Sequence, residues 1–308
     1  MRVAVVDIGT NSTRLLVADV EDGRVTNELL KRSEVTRLGE GVDATGRLGD
    51  VPMERVFGVL ASYRDQADEL GAEVTTGVLT SAVRDAANGA EFTAAVRERF
   101  GFDASTIDGD TEAALTFAGA TSERDSADRA PLVVIDIGGG STKLVVGARG
   151  RMEFHVSTQA GVVRQTERHI HADPPPPDQV QALAAEVRTI FLDDLPERAR
   201  DAVAAGIAVA GTATSCAAIA QSLDPYDPAK VHGYVLGRDE LDGMLARLAA
   251  LPLAERREVP GLHPDRAPTI VAGVVILQQA LDAFGLDRVE VSEHDILRGA
   301  ALARMHAG

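Results

Sequence analysis

Two stretches of the chain carry the same chemical groups in the same order. Asp7-Ile8-Gly9-Thr10-Asn11-Ser12 follows the apolar run Val3 to Val6, and Asp136-Ile137-Gly138-Gly139-Gly140-Ser141-Thr142 follows Leu132 to Ile135. Glycine admits positive φ and lets the backbone approach a ligand closely. Successive amides in such a turn form a concavity that holds an anion. A carboxylate at the strand end beside it can take a divalent cation, directly or through water. The chemistry suggested is phosphate binding with a metal. Gly9, Thr10, Asn11 and Ser12 are the candidate phosphate contacts of the first copy, and Gly138, Gly139, Gly140, Ser141 and Thr142 of the second. Asp7 and Asp136 are the candidate metal carboxylates. One such turn would be an ordinary hairpin; two, each opening one half of the chain, point to a function.

Other groups are weaker when read singly. Glu112 follows a strand and the turn Asp108-Gly109-Asp110, at a helix start. A carboxylate there can orient and deprotonate a water beside a bound phosphate, and an acidic residue is equally what a first helical turn favours by capping and the macrodipole. Arg84 follows the strand-end pair Thr80-Ser81, where a guanidinium fork can grip phosphate oxygens or lie on the surface. Arg14 and Lys143 each follow a loop hydroxyl and are candidate phosphate contacts, though strand residues can point to either face. Gly211-Thr212-Ala213-Thr214 leads into a helix, making Gly211 and Thr212 a candidate nucleotide or anion contact or a plain helix start. The seven histidines lack zinc-ligand spacing. No Ser-His-Asp or Cys-His ordering, Gly-x-x-x-x-Gly-Lys loop or Gly-x-Gly-x-x-Gly after the first strand occurs.

The elements that must position these groups alternate. The first half reads β-β-β-α-β-α-β-α, with a third strand over 25–38, helices from Pro52 to about Leu70 and from Glu91 to Phe100, and a helix opening at Asp110-Thr111-Glu112. The second half opens with the Asp136 hairpin and a strand over 152–157. A helix over 161–169, a stiff exposed connector at 174–177, and a helix over 179–192 follow. A strand over 206–210 leads to another helix, then come a strand over 231–236, helices over 239–248 and 265–284, a strand over 289–291, and a helix from Asp295 to His306. The fold class is α/β. The polar stretch 122–130 marks a boundary, giving domains 1–124 and 125–308, with the terminal helix, about 295–306, free to return to the first.

At 308 residues, with 45% hydrophobic residues and a mean hydropathy near zero, the chain suits two globular domains. The net charge of −16 and an aromatic share of 4% argue against nucleic acid as a partner. It also makes a polyanionic substrate dependent on local cations or a metal ion. No apolar run reaches the ~20 residues of a membrane span, and Met1-Arg2 runs straight into a strand, so no membrane partner and no leader are expected. The single cysteine, Cys216, fits a reducing cytoplasm.

The duplicated loop resembles the phosphate clamp of the actin-like superfamily, which includes actin, sugar kinases and heat-shock chaperone ATPases. The wider set of motifs resembles the exopolyphosphatase / guanosine pentaphosphate phosphohydrolase family, a phosphatase branch of that fold. The matching stretches are Asp7 to Leu15, Thr80-Ser81-Ala82-Val83-Arg84-Asp85-Ala86, Glu112-Ala113, Asp136 to Thr142, Gly211 to Thr214, and Ser292-Glu293-His294-Asp295-Ile296-Leu297-Arg298. The resemblance implies two actin-like (ribonuclease H-like) domains with an active-site cleft between them. It also implies release of orthophosphate from the end of inorganic polyphosphate, or conversion of guanosine pentaphosphate. Glu112 resembles the base that activates water, Asp136 the Mg²⁺-site carboxylate with Asp7 its counterpart, and Asn11, Arg84, Gly138 and Ser141 the phosphate contacts. A divalent cation, Mg²⁺ or another, and a homodimer are further family expectations.

The chain departs from the family pattern in two places. Lys143 stands where the family usually has Glu, a change that either weakens metal binding or adds a phosphate contact, and that motivates a non-catalytic sensor as the rival class. The acidic pair usual before the base is Asp110-Thr111, and the arginine that commonly follows is Ala114. Without the extra C-terminal domains of longer members, short polyphosphate chains are the expected substrate.

Overall fold

The computed structural model describes residues 1–124, 130–148 and 150–304. The middle of the expected boundary stretch and the end of the terminal helix, His306 included, lie outside them. The chain divides into two compact units, Met1–Ser122 together with His294–Gly308, and Glu123–Glu293. The division at Ser122 falls within the stretch expected from the sequence. The segment from His294 onward belongs with the first unit, the return left open above for the terminal helix.

In the first unit, β1 (Arg2–Ile8), β2 (Ser12–Glu21) and β3 (Arg24–Val35) form an antiparallel meander. Then come α1 (Val42–Thr45), α2 (Asp50–Glu69), β4 (Val74–Leu79), α3 (Ser81–Asp85), α4 (Gly89–Phe100), β5 (Asp103–Thr106) and α5 (Gly109–Ala120). The sheet order is β3-β2-β1-β4-β5, with β1, β4 and β5 parallel. Alternate residues of β1 enter different cores. Ala4, Val6 and Ile8 meet Leu60 of α2 and Phe92 and Val96 of α4, whereas Val3 and Val5 join Val78 and Ile107. Burial on both faces explains why β1 reads as an unbroken apolar run. Each fully buried Ile or Leu here contributes about 1.5–3 kcal/mol.

The second unit repeats the plan with β6 (Leu132–Ile137), β7 (Thr142–Ala148), β8 (Arg151–Thr158), α6 (Val162–His169), α7 (Pro177–Asp194), α8 (Glu197–Asp201), β9 (Ala205–Val209) and α9 (Ala210–Ala220). It continues through α10 (Pro228–Val231), β10 (Val235–Gly237), α11 (Arg238–Ala250), α12 (Leu253–Arg256), α13 (Ile270–Phe284) and β11 (Arg288–Val291). The order β10-β11-β9-β6-β7-β8 is the first sheet's arrangement with one more edge strand. The α/β, actin-like architecture expected from the sequence is therefore present in both units. The segment expected as a strand over 231–236 is the end of α10 followed by β10. The expected exposed connector at 174–177 is anchored: Pro175 is buried, Pro177 opens α7, and the Asp173 carboxylate accepts the Leu253 amide at 2.9 and 2.8 Å.

The terminal helix α14 (Ile296–Arg304) packs Ile296, Leu297 and Ala300 on the Val3/Val5 face of the first sheet. It crosses α5 at two glycines. A β-carbon at Gly299 would stand 1.8 Å from the Leu115 carbonyl oxygen, and one at Gly119 1.9 Å from that of Asp295. Gly299→Ala is therefore expected to destabilise the protein by at least ~3 kcal/mol, because backbone cannot yield as a side chain can. Gly58→Ala is the control. It lies in α2 with open space around its α-carbon, and should stabilise by about 0.4–1 kcal/mol. Urea midpoints of the two variants check both signs.

Candidate active site

The first loop joins β1 to β2, and its register sets Asp7 opposite Arg14 and Ile8 opposite Thr13. Gly9 donates to Ser12 O at 3.0 Å to close the turn. Glycine is required at this position for room, not for positive φ: a β-carbon at Gly9 would stand 3.0 Å from Ser12 O. The carbonyls of the loop are taken by the segment after β3, with Gly39 donating to Thr10 O at 2.8 Å, and Thr36 and Arg37 to Asn11 O at 3.0 and 2.9 Å. The Thr10 hydroxyl lies 2.9 Å from that of Ser81, which ties the loop to the Thr80-Ser81 strand end that leads to Arg84.

Glu112 is 2% exposed. A residue serving only the helix start would be solvated, and that duty is already filled by Asp108, whose carboxylate accepts the Thr111 amide at 2.8 Å. Arg84 Nη1 donates to Glu112 Oε2 at 3.1 Å and to the Ile107 carbonyl at 3.1 Å. The guanidinium stays a quarter exposed. Asp7 lies close enough for Glu112 to act on its charge: burial, aided by Glu112 and Asp295, holds the Asp7 carboxyl above its ordinary range in spite of Arg14. The structure thus brings Asp7, Arg84 and Glu112 together in one unit.

Arg14, expected at a phosphate, is instead engaged by carboxylates. Its Nε and Nη2 donate to Asp7 Oδ2 at 2.9 and 2.6 Å, and its Nη1 pairs with Asp295 just before α14. Burial works to raise the Asp295 carboxyl, but Arg14, Lys31 and the Leu297 amide hold it below its usual range. Asp7 Oδ1, on the other side of that carboxylate, is buried and has no hydrogen-bond partner among the described residues.

The second loop has the same frame. Asp136 faces Lys143 and Ile137 faces Thr142 in register, and Gly138 donates to Ser141 O at 3.0 Å. The eight positions from Asp7 to Arg14 correspond one for one to those from Asp136 to Lys143. Asp136 and Lys143 are 5% and 4% exposed. The Lys143 ammonium lies over the loop, 3.6 Å from where a β-carbon on Gly138 would stand. Ser141 Oγ is buried with no hydrogen-bond partner among the described residues. The Thr142 hydroxyl donates to the Ala160 carbonyl at 2.5 Å.

A model of the Ppx/GppA phosphatase family matches residues 16–306. Exopolyphosphatase 2 of Mycobacterium tuberculosis is 38% identical over 315 residues, covering 98% of each chain. The chain belongs to the Ppx/GppA phosphatase family. Among solved structures, an exopolyphosphatase-like protein matches with a TM-score of 0.92 at 32% identity, covering 100% of this chain and 99% of the other. The Aquifex aeolicus Ppx/GppA phosphatase matches at 0.76 and 31%, covering 99% of each.

In this Ppx/GppA chain, Gly211 and Thr212 lie within the first turn of α9, which starts at Ala210. The Thr212 side chain turns onto Gly273 of α13, and the open face of Gly211 is covered by the Arg266 guanidinium. Near them, Tyr226 pairs with Glu293; burial, then Glu293, raises its phenol, against opposing effects of Thr214 and Arg266. Three residues that touch the candidate groups were not singled out from the sequence: Arg266 over Gly211, Asp295 on Arg14, and Arg164, whose Nε donates to the Gly140 carbonyl at 2.9 Å. Asp295 stood in a quoted motif without a role, whereas Arg164 and Arg266 carried no local signal.

Proposed function

We propose that this protein is an exopolyphosphatase that hydrolyses the terminal phosphoanhydride of inorganic polyphosphate, with a preference for short chains. The observation that carries the reading is the buried Glu112 carboxylate, held by Arg84 in the same unit as the Asp7 loop. Glu112 accepts a proton from water as the water oxygen bonds to the terminal phosphorus. The bridging P–O bond breaks, and the bridging oxygen leaves with the shortened chain. Arg84 and the amides of the loops hold phosphoryl oxygens. Positioning and charge neutralisation carry most of the rate in such a transfer. Asp7 in the first unit and Asp136 in the second are each a candidate carboxylate for a divalent cation, Mg²⁺ by this reading. The orphaned, buried Asp7 Oδ1 and the raised Asp7 carboxyl fit a missing positive charge. The cation would supply neutralisation of phosphoryl charge.

Orthophosphate release from tripolyphosphate with Mg²⁺, with and without excess EDTA, tests the reading, with guanosine pentaphosphate and long-chain polyphosphate as competing substrates. Faster turnover of tripolyphosphate, lost in EDTA, is the expected result. Faster turnover of the long polymer removes the chain-length preference, and preference for guanosine pentaphosphate replaces the substrate. A second reading, a non-catalytic sensor, rests on Lys143 opposite Asp136, and predicts binding with no release at all. A homodimer and a reducing cytoplasm remain part of the proposal; no helix among the described residues is long and apolar enough to cross a membrane.

A further inference from the structure

The two phosphate loops are braced differently. In the first, backbone amides of residues 36–39 satisfy the Thr10 and Asn11 carbonyls. In the second, α6 lies against the loop, and its first amides take two carbonyls: Val162 donates to Gly138 O at 2.9 Å, Val163 to Gly139 O at 2.8 Å. The third carbonyl, of Gly140, receives a side chain instead, with Arg164 Nε donating at 2.9 Å. The approach is close enough that a β-carbon on Gly161 would lie 2.2 Å from Gly140 C. A trans peptide sets its N–H opposite its C=O, and the described cis bonds are elsewhere. The Gly139 and Gly140 amides therefore point away from the α6 amides, and the Ser141 N–H away from the Arg164 guanidinium, as an anion nest requires; the Gly140–Ser141 peptide itself packs on Gly161, with Ser141 N 2.4 Å from where a β-carbon there would stand.

We propose that Arg164 is a positioning residue that locks the Gly140–Ser141 peptide so that the Ser141 amide faces the phosphate. The inference rests on the phosphate-binding role proposed above for this loop. Glycine at 140 makes rotation of that peptide inexpensive, and no backbone donor of α6 takes its carbonyl. Without the guanidinium the peptide samples both orientations, and only one binds phosphate. Loss of Arg164 therefore acts through the competent fraction: apparent affinity falls, and turnover of bound substrate does not.

The experiment compares Arg164→Met and Arg164→Ala with wild type. The dissociation constant of inorganic tripolyphosphate is measured by calorimetry, kcat and KM are measured separately, and the Ser141 amide resonance is followed in ligand-free protein. Kd and KM are expected to rise together by about tenfold, the size of one charge-assisted hydrogen bond, with kcat unchanged. The Ser141 amide should shift or double while amides of α7 and α13 stay in place. Added guanidinium ion at low millimolar concentration should restore affinity to Arg164→Ala, and ammonium should not. An unchanged Ser141 amide, a fall in kcat at constant Kd, or a lowered thermal midpoint with unchanged Kd would each overturn the proposal. The ligand-free resonance decides it even if wild type binds tripolyphosphate and releases nothing, the result that would remove the enzymatic reading alone.

Discussion

Glu112→Gln is expected to lower kcat for orthophosphate release by about two to four decades, the range lost with a general base, while leaving tripolyphosphate binding within about threefold of wild type. Glutamine keeps the size of the side chain and an oxygen for Arg84 Nη1, which now sits 3.1 Å from Glu112 Oε2. Arg84 therefore stays in place, and the variant removes only the basic oxygen. Alanine would be a poorer test, because it would also release Arg84. The bland alternative makes a different forecast. If Glu112 merely complements the start of α5, its loss costs about 0.3–1 kcal/mol of stability through the macrodipole and leaves kcat untouched. Asp108 already caps that helix, so even the stability change should be small. Parallel measurement of kcat and the urea midpoint separates the two. A stable variant with native turnover would remove Glu112 from the mechanism and the main support of the proposed reaction with it.

What was legible in the sequence was local. An Asp at a strand end, a glycine turn, a hydroxyl and a second strand are adjacent in the chain, so both hairpins and the α/β class could be read directly. What the sequence left open was set by partners distant in sequence or by the side from which a loop is braced. Arg14 read as a phosphate contact because its partner Asp295 lies at the other end of the chain. Thr142 looked like its neighbour Ser141, but strand alternation sends its hydroxyl to Ala160. Of the two properties expected of glycine in these turns, Gly9 and Gly138 use close approach and not positive φ: a β-carbon would stand 3.0 and 3.1 Å from the Ser12 and Ser141 carbonyl oxygens. The return of the terminal helix to the first domain could only be left open, since the small residues that let α14 meet α5 mean nothing until the two helices are placed.

The residue that most divided the sequence reading, Lys143, gives the second large effect. Lys143→Glu would set a carboxylate opposite Asp136, at a position 4% exposed. Like charges directly opposed on a sheet destabilise it, and a buried charge whose partner is lost costs about 3–5 kcal/mol. The metal-free variant is therefore expected to lose stability of that order and to regain much of it when Mg²⁺ is added. Wild type should respond to Mg²⁺ far less, because a lysine already stands opposite Asp136 in that strand pair, as Arg14 stands opposite Asp7 in the first hairpin. The same substitution should alter how phosphate is held. The ammonium over the Gly138 turn gives wild type a resident positive charge, so tripolyphosphate should still bind in EDTA; in Lys143→Glu, binding should become strictly dependent on the cation. Thermal midpoints and calorimetric titrations, each with Mg²⁺ and with EDTA, check both statements. Equal dependence of the two proteins on Mg²⁺ would mean that Lys143 contributes neither charge compensation nor phosphate contact. A wild type that binds tripolyphosphate only with the cation present would leave Asp136 as the group that matters and Lys143 as its structural neighbour.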